Sequence, residues 1–265
     1  MNIYKYEFRK YLKGTIIWSF SIIAVLFFYL ALFPTFSAEA GQFEKLMQQF
    51  PEAFRKAMGL NDMNLANIQG FYSFTFSYIV LIGGIFAMKL GVDITSKETR
   101  EKTSDFLLVK PLKRVGILTP KYISAFTHII IMNVIYIPSS FIAIELFKNG
   151  NYNSNSLFLL TFSMFFIQVF LFALGALIGA AAKKLKNVLP ITLGIVFGFY
   201  VLHLFNQTIE DEKYSYLTPF GFFDSGYITE NAAYSRSHFW VCIIFSIIFI
   251  ILSYAIYQRK DIPSV

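Results

Sequence analysis

The chain has 265 residues, 56% of them hydrophobic, with 32 phenylalanines and a formal net charge of +7. Its mean hydropathy is +0.56, and a water-soluble domain of this size cannot hide that much apolar surface. Six stretches reach the length of about 20 apolar residues that a bilayer crossing requires. They predict an all-α integral membrane protein with a single transmembrane domain over residues 1–265.

The spans fall near residues 15–33, 71–90, 122–147, 157–182, 188–206 and 239–257. Ahead of the first, Tyr4, Phe8, Tyr11 and Leu12 share one helical face, while Lys5, Arg9 and Lys13 recur every fourth residue on another. That pattern predicts an interfacial helix over 1–13 that turns into the first span. Ala38-Glu-Ala40 imitates a signal cleavage site, but the apolar run before it exceeds the roughly 7–15 residues of a signal core. In the following loop, 36–70, Phe43, Leu46, Met47 and Phe50 repeat at helical spacing. Pro51 suits a first helical position and Gly59 a helix end, so two short amphipathic helices are expected there.

A charged segment, 93–114, separates the second and third spans. Thr95 and Glu98 have the S/T-x-x-E spacing of a capping box, which predicts that a helix begins there. Glu98 and Lys102 are ordered for an i,i+4 pair. Phe106, Leu107 and Leu108 make the far end apolar, and Pro111 stops the helix. On these residues alone, a surface helix over 96–109 and an ordinary basic loop both remain open.

Pro138 interrupts the hydrogen-bond ladder of the third span and frees a carbonyl. Residues 148–156 are turn-forming. Gly175 and Gly179 in the fourth span, and Gly194 and Gly198 in the fifth, have the spacing that lets helix backbones approach closely. A short connection, 183–187, joins these spans, so packing on each other is the expected use, with self-association of the fifth as the alternative. Beyond them, 206–213 is polar and 214–224 mixes aromatics with a Pro-Phe-Gly turn.

With the N-terminus inside, 17 of the 23 lysines and arginines fall on the cytoplasmic side. Both termini are therefore expected in the cytoplasm. The positive charge faces anionic lipid, not nucleic acid. The chain contains no G-x-x-x-x-G-K-[ST], H-E-x-x-H or G-x-S-x-G sequence, so no enzyme is expected. Its only cysteine, Cys242, lies in the last span, which leaves no disulfide framework or cysteine metal site. No ionisable group stands at mid-depth in a span, as a proton- or ion-coupled carrier would need. Energy for uphill transport would have to come from a partner. Among the polar residues in the spans, Asn133, Gln168, His203 and Asn206 either bond helix to helix or line a pathway.

The run Thr103-Ser-Asp-Phe-Leu-Leu-Val-Lys-Pro-Leu-Lys-Arg114, followed by Gly116 and Lys121, resembles the cytoplasmic coupling helix of type-2 ABC transporter permeases. One departure is Lys102, where the family usually has glycine. Leu217-Thr-Pro-Phe-Gly-Phe-Phe-Asp224 is similar to the family's partly re-entrant element before the final span. Phe50-Pro-Glu-Ala-Phe-Arg-Lys-Ala-Met-Gly59 resembles a first extracellular loop of bacterial members. The resemblance implies a six-span permease subunit in a bacterial cell membrane. It assigns ATPase coupling to Glu98, Arg100, Glu101, Asp105, Phe106, Leu107, Lys110, Pro111 and Arg114. It places Leu217, Pro219, Phe220, Phe223 and Asp224 in the re-entrant element. It also implies two cytoplasmic ATPase subunits, a second permease (identical or related), and ATP with Mg2+ bound in the ATPase, with no cofactor in this chain. The implied activity is export of a hydrophobic or amphipathic substrate. A non-transporting membrane subunit that binds an ABC ATPase, in a regulatory or immunity role, is the alternative.

Overall fold

The computed structural model describes residues 3–57, 65–101, 114–182, 185–209 and 212–259. Helices α1 (Ile3–Ala38), α2 (Ala40–Met47), α3 (Glu52–Ala57), α4 (Ile68–Arg100), α5 (Arg114–Phe147) and α6 (Ser154–Ala181) come first. They are followed by α7 (Val188–Ile209), 3-10 turns at Glu212–Leu217 and Pro219–Gly221, α8 (Ser225–Asn231) and α9 (Arg236–Arg259). Among the described residues there is no strand. The helices α1, α4, α5, α6, α7 and α9 are each long and apolar enough to cross a membrane.

Local chemistry sets the starts. The Asn67 side chain accepts from the Gln69 amide to open α4, and Asn153 accepts from Asn155 and Ser156 to open α6. Asp224 accepts from the Tyr227 amide at 2.7 Å to open α8. Each satisfies donors that a helix start leaves without an intrahelical partner. The two short helices expected in the first loop are present as α2 and α3. The second starts at Glu52, one residue after Pro51, whose carbonyl accepts from Phe54 and Arg55.

Helices α4 and α6 form the centre. In their most apolar stretches 72% and 61% of residues are buried, against 17% in both α7 and α9. Small residues cause this. The Gly175 and Gly179 faces of α6 lie on the α4 backbone at Met88 and Val92, and Gly91 of α4 lies on the α6 backbone at Phe172 and Ala176. α1 packs on α5 and α4, and α9 packs on α6.

This corrects the expected glycine pairing. The fourth span (α6) uses Gly175 and Gly179 against α4, not against its sequence neighbour α7. Gly194 and Gly198 face open space, with nothing within 4 Å of an added Cβ. The main helical neighbour of α7 is α4 as well. A short connection in sequence therefore does not fix which helices pack together.

Two helix boundaries also differ from expectation. The amphipathic start and the first span form the single helix α1, with no end near Lys13. Nor does a helix begin at Thr95: α4 runs on to Arg100, and the Glu101 amide still donates to the Lys97 carbonyl at 2.8 Å. A capping box is a local signal, and here the amides it would cap already belong to a helix anchored by packing. α5 likewise passes through Pro120 and Pro138 without ending.

Candidate functional site

At 36, 33 and 34 residues, α1, α4 and α5 are the longest helices described. Each runs to about 50 Å at 1.5 Å per residue, beyond the roughly 30 Å of a hydrocarbon core. Their excess lies at one end of the bundle: the start of α1, the end of α4 and the start of α5. This charged end flanks the segment 102–113 on both sides.

Two buried ion pairs there cross between helices, and a third pair lies within α4. Glu7 of α1 accepts from the Lys97 ammonium of α4 through both oxygens, at 2.8 and 2.9 Å. Both side chains are under 6% exposed, and the Lys97 ammonium stands 4.7 Å from the centre of the Tyr6 ring. One residue on, Glu98 pairs with Lys121 of α5, whose ammonium also donates to the Ile94 carbonyl at 3.1 Å. Asp93 holds Arg100 at 2.5 Å and accepts from the Tyr11 hydroxyl at 2.8 Å. Lys10 reaches Glu101 at 3.1 Å, but both are a third or more exposed, so this contact contributes little. Arg114 donates to the carbonyls of Tyr257 and Gln258 at the end of α9. Thr15 and His128 join α1 to α5 at 2.9 Å.

Of the coupling residues expected from sequence, Glu98, Arg100, Glu101 and Arg114 therefore come together at this end. Asp105, Phe106, Leu107, Lys110 and Pro111 lie outside the described residues, as does Lys102. Glu98 bonds to Lys121 in a neighbouring helix. The residues the sequence did not single out are Glu7, Asp93 and Lys97; Lys121 entered through the resemblance, with no partner assigned to it. One signal was available: Glu7 is a lone acid in a strongly basic, apolar start, where a carboxylate calls for a buried cation.

The polar residues of the spans divide. Asn133 of α5 donates to Gln168 of α6 at 2.6 Å, and Gln168 donates to the Gly83 carbonyl of α4 at 3.3 Å. These bonds join three helices, as does the Tyr72 hydroxyl with Tyr136 at 2.7 Å and Thr161 at 3.0 Å. His203 contacts Gln207 in its own helix at 3.2 Å, while Asn206 keeps a buried side-chain oxygen without a partner. His203 helps to line a cavity of about 20 Å3 with Ser77, Tyr200, Gln207, Phe220 and Asp224, enough for about one water. The four candidates form no single row: Asn133 and Gln168 meet, and the Phe220 ring flanks His203 on α7.

Residues 218–223 are buried, although they connect two spans. Thr218 fixes the turn by donating to the Phe199 carbonyl of α7 at 2.9 Å and accepting from the Phe220 amide at 3.3 Å. Gly221 allows the turn to close, because a Cβ there would stand 2.5 Å from the Ser215 carbonyl oxygen. Phe220 packs edge-on to Tyr200, Phe222 on Phe170 and Phe223 against Phe166. The tip of the Phe220 ring faces Gly84, 16 residues beyond Ile68, or about 24 Å along α4. Pro219, Phe220 and Phe223 are buried, Leu217 is exposed and Asp224 caps α8.

Six bilayer-length helices with a closed polar seam and an ion-paired end define a multi-pass α-helical membrane protein. Its family follows from comparison: the model described as ABC-2 family transporter protein matches residues 1–262, and the chain belongs to that family. It is thus the membrane permease subunit of an ABC transporter, in a family that works with ABC ATPase partners. No curated protein matches the chain.

Proposed function

We propose that the chain is one permease domain of a cell-membrane exporter for hydrophobic or amphipathic substrates, driven by two cytoplasmic ATPase subunits. Two permeases, identical or paired with a related chain, assemble with them, and ATP and Mg2+ bind in the ATPases. The charged end is cytoplasmic in this reading, and 102–113 receives the ATPase stroke. The observation that carries it is the lattice Glu7–Lys97, Glu98–Lys121 and Tyr11–Asp93. It ties α1, α4 and α5 together on either side of that segment, so a push there moves three spans. The turn at 218–223, held against Gly84, is the re-entrant element of the opposite face. A bacterial origin accords with the resemblance of the first loop.

Association with the ATPase tests this. Phe106→Asp is expected to abolish co-purification of the ATPase at unchanged membrane expression. An unpaired carboxylate in the docking pocket costs on the order of 2–5 kcal/mol. Retention of the ATPase and of solute-stimulated hydrolysis by this variant would sink the reading. Orientation is checked separately in a Cys242→Ser background, using the exposed positions Lys5 and Ser237. An impermeant thiol reagent on intact cells is expected to label Ser237→Cys and not Lys5→Cys.

A further inference from the structure

Near the charged end, a crevice opens between α1 and α4. Tyr11, Gly14, Thr15 and Trp18 line one wall, and Phe86, Lys89, Leu90 and Asp93 line the other. Each set has i, i+3, i+4, i+7 spacing, so these are the facing stripes of the two helices. The cavity between them is about 50 Å3. The space beside Gly14 is open: a Cβ there would meet nothing within 4 Å, so a larger side chain has room to enter it.

The charges in the crevice do not cancel. Asp93 is already engaged by Arg100 at 2.5 Å and by the Tyr11 hydroxyl at 2.8 Å. The Lys89 ammonium lies 5.9 Å from the centre of the Trp18 ring and has no ion-pair partner among the described residues. One net positive charge therefore faces the cavity. Lys89 and Trp18 both sit at the ends of their apolar runs, the depth where lysine and tryptophan meet lipid headgroups. Beside the crevice, Ile16, Ile17 and Phe20 of α1 are exposed by 48%, 55% and 71%, an apolar surface on which an acyl chain can lie.

We propose that this crevice binds the headgroup phosphate of an anionic phospholipid, with Lys89 donating to the phosphate and Trp18 flanking it. A cation, an aromatic wall and adjoining acyl-chain surface together fit a lipid phosphate. A free phosphate would leave the apolar surface unused. A zwitterionic headgroup brings its own cation against Lys89. The site does not depend on the ATPase reading.

Trp18 is itself the reporter, since the chain has only two tryptophans and Trp240→Phe leaves it alone. The full chain is reconstituted in vesicles of phosphatidylglycerol and phosphatidylcholine, with bromine on the acyl chains of one lipid at a time. Brominated phosphatidylglycerol is expected to quench Trp18 as though enriched about fivefold there, the ratio that one lysine at a lipid surface gives. Lys89→Arg should keep that preference. Lys89→Gln should remove it, and so should Gly14→Leu, which fills the crevice and leaves the charge in place. A Trp18→Phe chain, read through Trp240, reports insertion and should show no preference with or without Lys89→Gln. Equal quenching by the two lipids in the otherwise native chain overturns the proposal. So does a preference that survives Gly14→Leu, which would reflect general surface attraction. A Trp18 response to inorganic phosphate in lipid-free detergent, without a lipid preference, would assign the site to free phosphate and also overturn it.

Discussion

Glu7→Ala is expected to lower the stability of the detergent-solubilised chain by about 3–5 kcal/mol, because it leaves the Lys97 ammonium buried without a counter-charge. Glu7 is 2% and Lys97 4% exposed, so water cannot replace the lost carboxylate without opening the contact between α1 and α4. The paired change Glu7→Leu with Lys97→Met should behave differently. Replacing a buried ion pair by apolar groups of similar volume is often neutral or stabilising. The melting midpoint of the double variant is therefore expected at or above that of the native chain, well above Glu7→Ala. Solute-stimulated ATPase activity should still fall in the double variant, since apolar side chains that slide past each other transmit a push less directionally than a two-oxygen ion pair. Equal melting midpoints for native chain and Glu7→Ala would show that the pair is solvated, and the lattice would lose its mechanical role.

That pair also shows where the sequence stops being legible. The spans were readable because each carries enough apolar residues to satisfy a bilayer by itself, a property of a segment and not of its neighbours. The helix caps at Asn67, Asn153 and Asp224 are also local, but they come from the structure and not from the sequence reading. Thr95 and Glu98 were misleading for the opposite reason. Their spacing fits a helix start, but the second turn from the end of α4 is fixed by Ser96 and Thr95 being buried among other helices, which no local spacing reveals. Lysines at the end of a span read as solvated, whereas Lys97 and Lys121 are drawn inward by Glu7 and Glu98, which arrive from elsewhere along the chain. The glycines were recognised as close-packing positions. Their partner was not, because G-x-x-x-G states that a backbone comes near without stating whose. The Pro-Phe-Gly turn is legible in its residues, but the burial of 218–223 is not, because its aromatic content alone fits a headgroup-level belt equally well.

The same glycine seam carries the other large effect. Gly91→Ala is expected to destabilise the chain strongly, because its Cβ would be driven onto the Phe172 carbonyl oxygen and to 2.9 Å from the Ala176 amide nitrogen. Both obstacles are backbone, so no side-chain rotation relieves the clash and α4 must move away from α6. Overpacking of this kind costs about 1–3 kcal/mol and sometimes more, and a backbone obstacle puts Gly91 at the upper end. Two controls separate this from the general effect of alanine in a helix. At Gly84 the added Cβ would meet the Leu171 Cδ1 atom at 2.6 Å, the flexible end of a side chain, so Gly84→Ala should cost less. At Gly198 it would meet nothing within 4 Å, and Gly198→Ala should be neutral or stabilising by up to about 1 kcal/mol from helix propensity. Melting midpoints in detergent are expected in the order Gly198→Ala, Gly84→Ala, Gly91→Ala, highest to lowest. Displacement of α4 at Gly91 also shifts Asp93, Lys97 and Glu98, less than three turns further along the same helix. Gly91→Ala should therefore depress solute-stimulated ATP hydrolysis even at temperatures where the chain remains folded, while Gly198→Ala leaves it intact in any assembly that does not bury that face. If Gly91→Ala melts with Gly198→Ala, the backbone contact between α4 and α6 is not the close one that these glycines require.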